Sequence, residues 1–179
     1  MKDKTIAYSG NTGYSHGSHL HLFLCRDSGH LCLNPLEFLP PIPDNNPPKI
    51  GNLYFFINDT VTEIRPNRKN SIRLTKKYPL FVEVYDVGTK KNSHGGIHEL
   101  YWRLNDGKLH SLQFTQLALS EQSWKLNNRH NFSDIFYNKK YKIDIPDLLD
   151  GENTIYIKAK DFNGNESVEN YTLITTRQY

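Results

Sequence analysis

The residues whose types and spacing could do chemistry lie near the start of the chain. Residues 10–21 read Gly-Asn-Thr-Gly-Tyr-Ser-His-Gly-Ser-His-Leu-His. On a strand side chains alternate, so His19 and His21 share one face while Leu20 points to the other. Leu20, Leu22 and Leu24 then line an apolar face beneath them. Two imidazoles side by side over a cleft can ligate a metal and handle a proton. The Gly and Ser residues before them allow a close approach and leave room for a substrate backbone. Four of the eight histidines fall within residues 16–30.

Other candidates carry blander readings. His94-Gly-Gly-Ile-His98-Glu99 has metal-like spacing, but its two glycines read as a flexible loop. Asp161-x-Asn163-x-Asn165 matches the start of a calcium loop, yet lacks the Gly at position six and the Glu at position twelve, and reads as a hairpin turn. Tyr101, Trp102 and Trp124 could form a sugar-stacking platform, against the commoner role of a core Trp in a β-sandwich. N-x-[ST] sequons begin at Asn58, Asn131, Asn165 and Asn170 and carry no inference. Cys25 and Cys32 flank Arg26-Asp-Ser-Gly-His-Leu31. A two-residue turn at Ser28-Gly29 sets them opposite each other in a hydrogen-bonded register, where side chains are further apart. Two buried thiols or a disulfide both remain open, with the thiols favoured.

The string at 10–21 resembles the C-terminal signature of the lysostaphin/LytM-type zinc endopeptidases, Gly-Asn-Thr-Gly-x-Ser-Thr-Gly-x-His-Leu-His, followed by a hairpin and an Asn-Pro-Leu segment. Asn34-Pro-Leu-Glu-Phe-Leu39 stands where that segment should, and Lys4-Thr-Ile-Ala-Tyr-Ser-Gly10 matches the strand before it. The likeness covers roughly residues 3–39. It implies peptidoglycan hydrolysis: zinc held by a His and an Asp of an upstream H-x-x-x-D motif plus the second His of H-x-H. By that correspondence His21 is the metal ligand, and His19 polarises the zinc-bound water or stabilises the tetrahedral intermediate. His16, Ser18 and Phe23 depart from the pattern without removing a ligand. The chain starts after the point where H-x-x-x-D should lie and is expected to lack that pair. One imidazole cannot hold catalytic zinc, so the chain alone is expected to be inactive as a peptidase.

The elements that must position this segment read as strands. Pro40-Pro-Ile-Pro-Asp-Asn-Asn-Pro-Pro48 holds five of the nine prolines and marks an extended linker. The residues before it, 1–39, are too few to bury a core unaided; the residues after it, 49–179, make an ordinary domain. Strands are predicted at 50–57, 80–85, 100–104, 108–114, 154–160 and 171–175, punctuated by turns at 105–107 and 161–165. These short strands with Gly, Asn and Asp turns predict an antiparallel β-sandwich. The ending 150–165 resembles the last hairpin of bacterial immunoglobulin-like or fibronectin-like modules. Residues 120–138 read as a long loop with a helical turn. The predicted class is all-β: a partial peptidase sheet, 1–39, a Pro-rich linker, 40–48, and an Ig-like sandwich, 49–179. A partial sheet exposes strand edges, so it is expected to fray unless it docks on the sandwich or on another chain.

Composition narrows the partners. Aromatic residues make up 12% of the chain and a single Met is present, which favours strands. Net charge is +3, which selects no partner class; the concentrated basic stripe of a nucleic-acid binder is missing, so nucleic acid is not an expected partner, and no run is long and apolar enough to span a bilayer. The start shows no apolar secretory segment, so either the protein is cytoplasmic or Met1 is not the true beginning of the product. The resemblance instead implies the cell envelope, periplasmic or extracellular, with peptidoglycan peptide cross-links or an envelope protein as partner. The rival expectation is a non-enzymatic envelope binding or scaffolding protein that keeps a degenerate peptidase remnant.

Overall fold

Strand alternation sets the architecture, as the run from 151 to 160 illustrates: Asn153, Ile155, Ile157 and Ala159 are buried, while Glu152 and Thr154 face outward. The computed structural model describes residues 5, 22–40, 42–57, 60–87, 94–127 and 129–177. In chain order the strands are β1 (Leu24–Arg26), β2 (Leu31–Leu33), β3 (Lys49–Ile57), β4 (Thr60–Ile64), β5 (Lys69–Leu74), β6 (Leu80–Val87), β7 (His94–Gly95) and β8 (Glu99–Leu104). They continue as β9 (His110–Gln113), β10 (Gln116–Ser120), β11 (Ser123–Leu126) and β12 (His130–Asn131). One helical turn, α1 (Phe132–Ile135), precedes β13 (Phe136–Tyr137), β14 (Lys140–Asp144), β15 (Gly151–Lys160) and β16 (Glu166–Arg177). The fold is all-β, with a sandwich at its centre. One sheet runs β13-β14-β6-β3-β4 with β7 on β6, and the other runs β5-β16-β15-β8-β9. Every ladder is antiparallel except that of β16 with β5, which is parallel.

The two sheets close over one core. Leu53, Phe55 and Val82 from the first meet Leu100, Ile157 and Leu173 from the second, all essentially without solvent exposure. Burying each such side chain stabilises the fold by roughly 1.5–3 kcal/mol before entropy is counted. Tyr171 crosses the core and donates its hydroxyl hydrogen bond to the Gly51 carbonyl. Gly51 sits where the β3–β6 register shifts. A Cβ there would come within 2.8 Å of Glu83 Oε2, so a larger residue would require the Glu83 side chain to shift.

The strands read at 50–57, 80–85, 100–104, 108–114, 154–160 and 171–175 all form, and the turns at 105–107 and 161–165 lie where expected. Residues 120–138 differ from their reading. The helical turn is present as α1, but β11, β12 and β13 stand where a loop was expected. The reason lies in the turns. Glu121 and Gln122 join β10 to β11 with φ of 52° and 63°, and Asn138 and Lys139 join β13 to β14 with 46° and 61°. These are tight hairpin conformations usually signalled by Asn-Gly or Asp-Gly.

A third sheet, β1-β2-β10-β11-β12, draws on both sides of the Pro-rich segment. β2 pairs antiparallel with β10, placing Leu33, Cys32 and Leu31 opposite Gln116, Leu117 and Ala118. The hairpin therefore docks on the larger unit. The hairpin turn also differs from its reading. Cys25 does face Cys32, but Arg26 pairs with Leu31, so the connection has four residues, Asp27 to His30, instead of Ser28-Gly29 alone. The Cα atoms of the two cysteines are only 4.0 Å apart, the close type of antiparallel position, and they form a disulfide. The favoured reading of two buried thiols is corrected on that ground.

Candidate functional site

His19 and His21, assigned by resemblance to catalysis and metal binding, lie outside the described residues, as does His16. The structure does show what receives the chain directly after them. Leu22 and Phe23 lead into β1, and the disulfide locks β1 to β2. At one end of the β2–β10 ladder Leu119 N–H donates to His30 O at 2.7 Å; at the other Asn34 N–H donates to Thr115 O at 2.7 Å. The Asn34 side chain adds a second tie, donating to Phe114 O at 2.9 Å while accepting from Leu36 N–H at 3.1 Å. Asn34 thus caps the short 3₁₀ turn Pro35–Glu37 and fastens it to the chain entering β10. Beside this junction lies an apolar trough of about 510 Å³, lined by Leu24, Leu33, Leu36, Phe114, Leu117 and Phe132 among others. Tyr141 also lines it, and burial pushes its phenol up to about 12, so it remains protonated at neutral pH.

A second group of side chains gathers at the pole where the linker meets the β15–β16 turn. Asn163 Nδ2 donates to Ile42 O at 2.8 Å, and Asn165 Nδ2 to Asp44 O at 3.0 Å, so the turn grips the linker. Asp161 organises that turn: its Oδ1 accepts from the backbone N–H of Asn163 at 2.8 Å and of Asn165 at 2.9 Å. The hairpin-turn reading of Asp161-x-Asn163-x-Asn165 matches this pattern. Asp44, Asp86 and Asp161 bring one carboxylate oxygen each to within 4.8 Å of one another, the one such cluster of three metal-ligating side chains among the described residues. An all-oxygen set suits a hard divalent cation rather than zinc, whose sites draw on His nitrogen and Cys sulfur. That cluster therefore does not fit zinc, and His19 and His21 lie outside the described residues.

Burial, then the charges of Asp161 and Asp44, holds the Asp86 carboxyl above its ordinary value. A carboxyl whose pKa is higher folded than unfolded leaves its contribution intact below the unfolded value, and that contribution is lost as pH rises through the folded one. Asp86→Asn is therefore expected to raise Tm by roughly 1–3 °C at pH 7 in the presence of a chelator. The gain disappears near pH 3, where both proteins are neutral at this position. Thermal scans across that range check it, and a lower Tm for the variant at pH 7 contradicts it.

The remaining sequence candidates separate in space. Trp102 is half-buried and stacks on His110, with centroids 5.5 Å apart, inside a polar trough of about 900 Å³. Tyr101, its neighbour on β8, projects from the other face, donates to Glu99 and lies under Lys158. Trp124 is exposed on β11 in another sheet. Alternation on β8 and the separate sheets thus divide the supposed sugar platform. Among the described residues His98 joins no group of three metal-ligating side chains, and the His94 side chain lies outside them; the His98 ring stacks on Phe162 at 4.6 Å and stands between Glu37 and Glu99.

The expectation that H-x-x-x-D is missing needs a correction of its own. The spacing occurs once, downstream of H-x-H, at His130-Asn-Phe-Ser-Asp134. His21, which the resemblance would pair with it, lies outside the described residues, and among those residues His130 and Asp134 join no group of three metal-ligating side chains. His130 begins β12 and Asp134 lies in α1, and β12 forms the edge of the third sheet opposite to β1. Four ladders separate those edges, on the order of 19 Å at the usual strand spacing. The Asp134 carboxylate instead accepts from Asn131 Nδ2 at 3.0 Å.

The junction of β2 and β10 was the feature hardest to foresee, because β10 lies just before the stretch read as a loop. Its one signal in the sequence was the exposed edge expected of a partial sheet. No curated protein matches the chain. Residues 47–176, from the end of the linker through nearly all of β16, match the model of an uncharacterised protein family, and the chain belongs to that family.

Proposed function

We propose that this chain is a positioning module: the sandwich holds the last hairpin of a LytM-type zinc endopeptidase sheet and does not itself cut peptide bonds. The observation that carries the reading is the β2–β10 ladder, closed at both ends by backbone hydrogen bonds and backed by the Cys25–Cys32 disulfide. A hairpin fixed in this way gives the H-x-H segment, three residues upstream of β1, a rigid base. A disulfide fits the oxidising cell envelope that the resemblance implies. Peptidoglycan cross-links are the substrate class, and His19 and His21 are this chain's share of the site. Hydrolysis requires further ligands that bind zinc together with His21.

The test is direct. Purified peptidoglycan is incubated with the oxidised chain and equimolar Zn²⁺, and newly released amino groups are counted. The expected result is no release above the chelator control. Zinc-dependent release that is lost in His21→Ala would show a complete peptidase and overturn the positioning role.

A further inference from the structure

We propose that His98 is a pH-dependent clasp that tightens the hold of the sandwich on residues 34–39; this rests on the positioning role just described. Its Nε2 lies 3.7 Å from Glu37 Oε1, on the 3₁₀ turn that follows the docked hairpin, and its Nδ1 lies 3.9 Å from Glu99 Oε1 on β8. Nε2 is buried and makes no hydrogen bond among the described residues, so the ring lies beside Glu37 without bonding it. The ring has little freedom to turn away. Phe162 stacks on one face, His98 N–H donates to Lys160 O at 2.9 Å, and Phe114 N–H donates to His98 O at 2.9 Å.

The charges around the imidazole favour its protonated form holding the turn. Glu37 comes from the segment being held. Glu99 comes from its own strand and also accepts from the Tyr101 hydroxyl. From β15, Lys160 stands opposite Glu99 across the ladder and offsets part of that negative charge. The β15–β16 turn presents the uncharged face of Phe162, and Asp161 beside it is engaged by Asn163 and Asn165. A histidine gains its charge as pH falls through the range of about 8 to 5. An imidazolium between two carboxylates ties the turn to the sandwich; a neutral ring does not.

Amide exchange of the oxidised full chain tests this. The N–H groups of Glu37, Phe38 and Leu39 bond back to Asn34 and Pro35 within the turn and report its opening. After correction for intrinsic exchange, opening is expected to be roughly three- to fivefold rarer at pH 5.5 than at pH 8, the effect of one partly exposed ion pair. Glu37→Gln, on the surface and without effect on the core, is expected to flatten the profile, as is His98→Gln. A flat profile in the wild type, or an unchanged one in Glu37→Gln, overturns the clasp. Leu119 N–H, which bonds across the β2–β10 junction, separates the two readings. If it is protected at every pH while the turn shows no pH dependence, only the clasp fails; if it is unprotected, the positioning role fails with it.

Discussion

Replacing Asn153 with alanine is expected to lower the unfolding free energy by about 3 kcal/mol, the sum of several orphaned hydrogen-bonding groups. Asn153 has no solvent exposure. Its Oδ1 accepts from Leu149 N–H at 2.9 Å and from Asn105 Nδ2 at 3.2 Å. Its Nδ2 donates to Leu149 O at 2.9 Å, to Gly151 O at 3.2 Å and to Thr175 Oγ1 at 3.1 Å. One amide thus ties the loop before β15, the β8–β9 turn and β16. Truncation removes all of these bonds at once from a site with no solvent exposure, around partners that are themselves at least partly buried. Asn153→Asp is expected to cost at least as much at pH 7, since an oxygen would face the carbonyls that Nδ2 now serves. Urea unfolding of both variants checks this, and a loss below 1 kcal/mol in Asn153→Ala contradicts it.

The second large effect is local. Reducing the Cys25–Cys32 disulfide, or replacing both cysteines with serine, is expected to raise the open population of the hairpin roughly 50-fold. The bridge closes a loop with a sequence separation of seven, and constraining a loop of that length contributes about 2.5 kcal/mol in the chain-entropy view. The sandwich core contains none of these residues, so its Tm is expected to move by no more than about 2 °C. Proteolysis under native conditions separates the two: cleavage within the hairpin accelerates while the sandwich survives intact. Equal loss of both on reduction contradicts the expectation and would mean that hairpin and sandwich open as one unit.

Legibility in the sequence followed how local each signal was. Thr154 to Lys160 alternates with period two, and that alternation made the strand plain. The same alternation continues back to Asn153, but Asp150-Gly-Glu-Asn153 carries turn residues, so the buried amide was hidden inside what looked like a loop. The opposition of Cys25 and Cys32 was legible from their flanking residues. The turn length was not, because Asp27 and Ser28 adopt positive φ of 54° and 57°, which neither residue type signals strongly. Contacts distant in sequence were the least visible. Asp44, Asp86 and Asp161 come from three segments, and Glu37 reaches His98 across sixty residues of chain. No spacing rule connects such residues; only the pairing of β2 with β10 and the grip of the Asn163–Asn165 turn on the linker bring them together.

Amide exchange at Leu119 and Asn34 in the intact, oxidised chain tests the central claim most directly. Both N–H groups bond across the β2–β10 junction and to nothing within their own segment. If the sandwich holds the hairpin, both are expected to exchange at least a hundredfold more slowly than in an unfolded chain. Exchange of both at the unfolded rate, while the amides of Ile157 and Leu173 remain protected, would show a folded sandwich with a free hairpin and would contradict the positioning role.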